Sequence, residues 1–165
     1  MQLVTGTDAL KSEVYDIVGN SLNDPLTTSY VSELLLSPRL SSLQEMKLGL
    51  DFAYSVGSPQ SRLLQLRDTG DKCLAIGIFY LDDIERQGMY QLIDIGKASY
   101  GAAGMYAFCL DSETEGVTYS GLSEQFIRVV AEISYNMARR LGNQYPLQRL
   151  IVWTPESERI ILPRN

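Results

Sequence analysis

Leu122, Phe126, Val129, Val130, Ile133, Met137 and Leu141 recur at intervals of three and four, which places them on a single stripe of one long α-helix. A helix with one apolar stripe has to bury it, so this segment demands a core packed along its length. Glu124 and Arg128 stand four apart on its polar side, and Arg139 and Arg140 fall in its last turn, where cations offset the helix dipole. Gly142 follows as a natural stop.

The rest of the chain divides into a helical first third and a middle that reads as strands. Gln2–Thr5 predicts a short first strand, and Thr7-Asp8 caps a helix carrying Leu10, Val14, Ile17 and Val18, with Gly19 at its end. Asn20–Pro25 reads as a turn, and Tyr30, Val31, Leu34 and Leu35 as a short helix stopped by Ser37-Pro38. Ser42 and Glu45 have the capping-box spacing and open a third helix through Tyr54, closed by Gly57-Ser58-Pro59. Arg62–Arg67 then predicts a strand, and Asp68-Thr69-Gly70-Asp71 a hairpin turn. Cys73–Leu81 is apolar on both parities, the pattern of a central strand covered on both faces. Tyr90–Ile95 and Met105–Leu110 are two further strand candidates, joined by the small-residue loop Lys97–Gly104. Leu150–Trp153 is a last buried strand, and Thr154-Pro155-Glu156 caps a last short helix.

In this order the long helix connects Met105–Leu110 to Leu150–Trp153, a right-handed crossover between parallel strands. The predicted fold is α+β, one domain over 1–165: a mixed, mostly antiparallel sheet flanked by helices, with one parallel strand–helix–strand crossover near the C-terminus.

Composition narrows function mainly by exclusion. The 165 residues contain no histidine, which removes Ser–His–Asp and Cys–His activation and most zinc sites. A net charge of −6 disfavours nucleic acid and anionic membrane surfaces, and suits a basic protein partner. The N-terminus lacks a secretory signal pattern, no apolar run is long enough to span a bilayer, and Cys73 and Cys109 both sit in apolar runs. The expectation is a cytoplasmic protein with reduced thiols. No metal site is expected: Asp111-Ser112-Glu113-Thr114-Glu115-Gly116 has acidic residues at positions 1, 3 and 5 of a calcium loop, but position 12 is Leu122, so it reads as an exposed acidic loop. Gly101-Ala102-Ala103-Gly104 precedes a strand and reads as a tight loop rather than a dinucleotide site.

The stretch Gly116–Ser123 would lead from a strand into the long helix, and a helix N-terminus offers unpaired N–H groups to an anion. Ser120 or Ser123 acting as a plain helix cap accounts for the same residues.

The order of elements over Met105–Leu162, with Gln2–Val18 as first strand and helix, resembles the GNAT superfamily of acyl-CoA-dependent N-acetyltransferases. Of that family's pyrophosphate-binding signature, Gly121 and Ser123 match the Gly-x-Gly part, and the upstream basic or amide residue is missing. The resemblance implies acetyl-CoA or another acyl-CoA as cofactor and a small-molecule or protein amine as substrate. It implies that backbone groups of Phe108, Cys109 and Leu110 pair with pantetheine. The pyrophosphate would rest on the N–H groups of Gly121, Leu122 and Ser123, with Gly116 leaving room for close approach. Asp111 or Glu113 would take the amine proton, and Tyr106 or Tyr119 would protonate the leaving thiolate. The alternative is a non-catalytic acidic binding protein, of chaperone, inhibitor or immunity type, supported by the estimated pI of 4.6 and ten tyrosines.

Overall fold

The computed structural model describes residues 7–22, 24–37, 57–79 and 86–141, and within them every regular element is a helix. There are six: α1 (Thr7–Ser21), α2 (Pro25–Leu35), α3 (Pro59–Phe79), α4 (Arg86–Cys109), α5 (Glu113–Glu124) and α6 (Phe126–Leu141). The expected α+β fold is therefore replaced by an all-helical arrangement among the described residues. Gln2–Thr5, the helix over Ser42–Tyr54, the strand Leu150–Trp153 and the last helix lie outside them.

The expected helices over Thr7–Gly19 and around Tyr30–Leu35 are present as α1 and α2. Asp24 caps α2: its carboxylate accepts from the backbone N–H of Leu26 and of Thr27 and from the Thr27 hydroxyl, with Pro25 at the first helical position. The Gly57-Ser58-Pro59 punctuation starts the helix α3. Ser58 Oγ accepts from the Ser61 N–H at 3.2 Å, and its carbonyl takes the first helical bond, from Arg62 N–H at 2.9 Å.

The largest correction concerns the middle. Arg62–Arg67, the Asp68–Asp71 turn and the described part of Cys73–Leu81 form the single helix α3, while Tyr90–Ile95, Lys97–Gly104 and Met105–Leu110 run through α4 and its C-terminal cap. Burial along α3 begins at a helical interval, Leu63, Leu66 and Gly70, and is then continuous from Thr69 to Ala75, whereas Arg62 and Leu64 are exposed. An apolar run covered on nearly all sides has the same composition as a central strand, and periodicity within it does not separate the two. Glycines of the expected turn and loop, Gly70 and Gly104, are instead places where helices approach closely. The Tyr100 ring lies across Gly70, where a Cβ would come within 2.8 Å of it, and the Phe126 ring lies across Gly96.

Contacts between Gly70 and Tyr100, Cys73 and Gly96, and Gly77 and Leu92 show that α3 and α4 run antiparallel. The connection from α4 to α5 is a helix-ending motif. Asp111 adopts a left-handed φ of 58°, Ser112 N–H reaches back to the Ala107 carbonyl at 2.8 Å, and Asp111 N–H to the Phe108 carbonyl at 3.1 Å. The long predicted helix over 122–141 is two helices with a break at Gln125, but its stripe holds: Leu122, Phe126, Val129, Val130, Ile133 and Met137 are all buried. Arg128 pairs with Glu132 at 3.0 Å rather than with Glu124, and Arg140 ties α6 to α1 through Glu13 and Asp16, each at 2.7 Å.

The two kinds of helical glycine should respond oppositely to alanine. Gly121 faces nothing within 4 Å, so Gly121→Ala is expected to raise unfolding free energy by about 0.5–1 kcal/mol through helix propensity alone. Gly96→Ala drives a methyl into Phe126 and Cys73 and is expected to lower it. Urea unfolding of both variants checks this, and effects of the same sign would contradict the close packing of α4 on α6.

Candidate functional site

Asp71 sits mid-helix in α3 with no solvent exposure, and its Oδ1 accepts two phenol hydroxyls, Tyr30 of α2 at 2.6 Å and Tyr100 of α4 at 2.7 Å. Arg67, one turn earlier on α3, approaches the other oxygen at 4.0 Å while donating to Asp68 at 2.9 Å. Tyr119 of α5 completes the cluster: its ring meets that of Tyr30 edge-on, centroids 5.5 Å apart at 81°, and lies nearly parallel to that of Tyr100 at 6.2 Å. Four helices thus meet around one carboxylate.

The electrostatics are those of a sealed structural centre. Burial raises the Tyr30 and Tyr100 phenols, and the Asp71 carboxylate beside them raises both further. Tyr119 is raised by burial and then by Glu115. Burial acts to lower Arg67, but its bond to Asp68 and the negative charges of Asp68 and Asp71 together more than offset this and hold it above its ordinary value. With both phenols committed to Asp71 and the carboxylate closed to solvent, this centre holds its groups in place and offers no open reacting atom.

Its outer surface is open. Between α2 and α5 lies an opening of about 210 Å³ lined by Leu26, Ser29, Tyr30, Glu33, Thr114, Glu115, Thr118 and Tyr119. On the other flank of Tyr30 and Glu33, a second of about 210 Å³ is bounded by Leu34, Ser37 and Arg67. Towards the start of α2, a cleft of about 400 Å³ lies among Leu22, Asp24, Val117, Gly121, Gln125 and Arg128. The three follow one another along α2. Leu26 and Val117, 46% and 50% exposed, add apolar surface beside them.

The residues singled out in the sequence are dispersed. Asp111 is the left-handed stop after α4, Glu113 is the exposed first residue of α5, and Tyr106 accepts from Arg62 Nη1 at 3.1 Å near the far end of α3. Phe108 lies over Gly116, Cys109 ends α4 as an exposed thiol, and Leu110 N–H is bonded to the Tyr106 carbonyl. Leu122 is core, and Ser123 Oγ donates to the Lys97 carbonyl at 2.7 Å. Residues 121–123 lie in the last turns of α5, not at a helix start, and the true start carries Glu113 and Glu115, which oppose an anion. Of the predicted set, Tyr119 and Gly121 alone border the openings along α2. Asp71, Tyr30, Tyr100, Arg67, Glu33 and Glu115 were not anticipated. The signal for Asp71 was present as the i,i+4 pair Arg67–Asp71 leading into an apolar run.

No protein-family model, curated protein or solved structure matches the chain. Among the described residues no group of three or more metal-ligating side chains occurs, and no helix is long and apolar enough to cross a membrane.

A phenol whose pKa is raised by folding adds stability that is fully present below its unfolded value near 10 and is lost as pH rises above it. In an absorbance titration at 295 nm, Tyr30 and Tyr100 are expected to stay protonated until the helices melt, so part of the tyrosinate signal should rise together with loss of circular dichroism. Ionisation of all ten tyrosines in one reversible step near pH 10, with helicity intact, would contradict the cluster.

Proposed function

We propose that this chain is a non-catalytic binding protein that grips a basic segment of a protein partner along α2. The observation that carries the reading is the opening between α2 and α5, where exposed Glu33 and Glu115 border an aromatic floor of Tyr30 and Tyr119. Among the described residues, no lysine or arginine lines it. Leu26 and Val117 add apolar surface nearby, and the chain's charge of −6 would steer a basic partner towards it. α2 from Pro25 to Leu35 spans 10 residue steps, about 15 Å at the helical rise, the reach of roughly four to five extended residues.

The acyl-transfer expectation derived from a strand leading into a helix at Gly116–Ser123. That stretch lies within one helix, and Phe108–Leu110 belongs to a helix end whose backbone bonds are internal. Coenzyme A is accordingly expected to leave the melting temperature unchanged, where a cofactor of the folded state would raise it.

A photo-reactive residue at Ser29 tests the binding reading in cells. It is expected to capture one basic protein through a lysine- or arginine-bearing segment, and Glu33→Lys with Glu115→Lys should abolish the adduct. An adduct indifferent to that charge reversal, or formed equally from Lys11 on α1, would contradict it.

A further inference from the structure

Three arginines of the described chain are each already engaged by carboxylates: Arg67 by Asp68 and Asp71, Arg128 by Glu132, and Arg140 by Glu13 and Asp16. Glu33 and Glu115 differ. They come from different helices, border the same opening, and make no ion pair with any described residue. The floor beneath them is also specific in what it offers. The Tyr30 hydroxyl is committed to Asp71, so Tyr30 presents its ring rather than a donor or acceptor, and Tyr119 stands at 81° to it.

Resting on the binding reading above, we infer that the opening between α2 and α5 recognises the guanidinium of a partner arginine. A guanidinium is planar, stacks on an aromatic ring and spreads five donors around its edge. Here those donors would meet carboxylates on two sides, Glu33 and Glu115, and the Ser29 hydroxyl, while the guanidinium plane would lie against the Tyr30 ring. Exposed Leu26 at the mouth covers the aliphatic stem. A lysine ammonium is a compact, strongly hydrated charge that does not stack through a planar face or bridge two separated carboxylates, so the same opening takes it less well.

The probe is N-acetyl-arginine amide, titrated into the full chain labelled with nitrogen-15, beside the lysine and citrulline counterparts. Citrulline keeps the shape of arginine without its charge. The expected result is a set of shifted amides centred on Ser29, Tyr30, Glu33, Thr114 and Glu115. The dissociation constant for lysine should be weaker by about five-fold or more, and citrulline should give no response. Glu33→Gln with Glu115→Gln should remove the response while the spectrum stays native-like, and Glu132→Gln should leave it unchanged. Equal arginine and lysine binding would overturn the guanidinium inference and leave the basic-partner reading intact, since that reading requires only positive charge. Shifts centred elsewhere, a citrulline response equal to that of arginine, or no response would overturn the inference as well. Loss of the Ser29 adduct after charge reversal bears on the wider reading separately.

Discussion

A carboxylate closed to water in the middle of a helix is costly unless donors reach it, and Asp71 is supplied by two phenols from two other helices. Hydrogen bonds to a charged group are each worth roughly 1.5–3 kcal/mol, and removing a donor exposes the full desolvation penalty of the acceptor. The geometric consequence is as large as the energetic one. Two bonds of 2.6 and 2.7 Å to a single oxygen fix how α2 and α4 are rotated against α3. A slip of either helix by one residue would turn its tyrosine away. The surrounding packing agrees with that choice: Gly70 makes room for the Tyr100 ring beside the carboxylate it bonds, and Tyr119 closes the cluster from α5.

The surface along α2 follows from this buried arrangement. Because Tyr30 is anchored from beneath, its ring is held as a floor instead of swinging over the opening, and Glu33 stands one turn further along the same helix face. Rigid aromatic groups lose little entropy when a partner docks, while acidic side chains at the rim can adjust. A tyrosine with its hydroxyl spent inward and its ring turned outward suits recognition more than catalysis. Of the three tyrosines in the cluster, Tyr100 and Tyr119 are interior structure, and Tyr30 joins interior to surface.

Sequence patterning recovered the helical stripes that are simple. α1, α2 and the Leu122–Met137 stripe have one apolar and one polar face, so spacing reports them directly. α3 and α4 failed for a physical reason. They are surrounded by other helices, so apolar and small residues occur around most of their circumference and the amphipathic signal is weak. Their glycines and the Asp68-Thr69-Gly70-Asp71 sequence carry turn chemistry in isolation. In the structure Thr69 Oγ1 bonds the Gln65 carbonyl, Gly70 lies under a ring and Asp71 takes two phenols. Tertiary partners separated by 29 and 41 residues decide that conformation, and no local window contains them. The candidate site suffered from the same error, since reading Gly116–Ser123 as a helix start placed an anion site where the chain is already helical.

Asp71 holds three helices together, and Tyr100→Phe isolates that interaction because it removes one oxygen and leaves the ring packed. Urea unfolding at neutral pH is the measurement. A loss of about 1.5–3 kcal/mol is predicted, with the native far-ultraviolet spectrum retained. A change below about 0.5 kcal/mol, the level of a surface substitution, would contradict it.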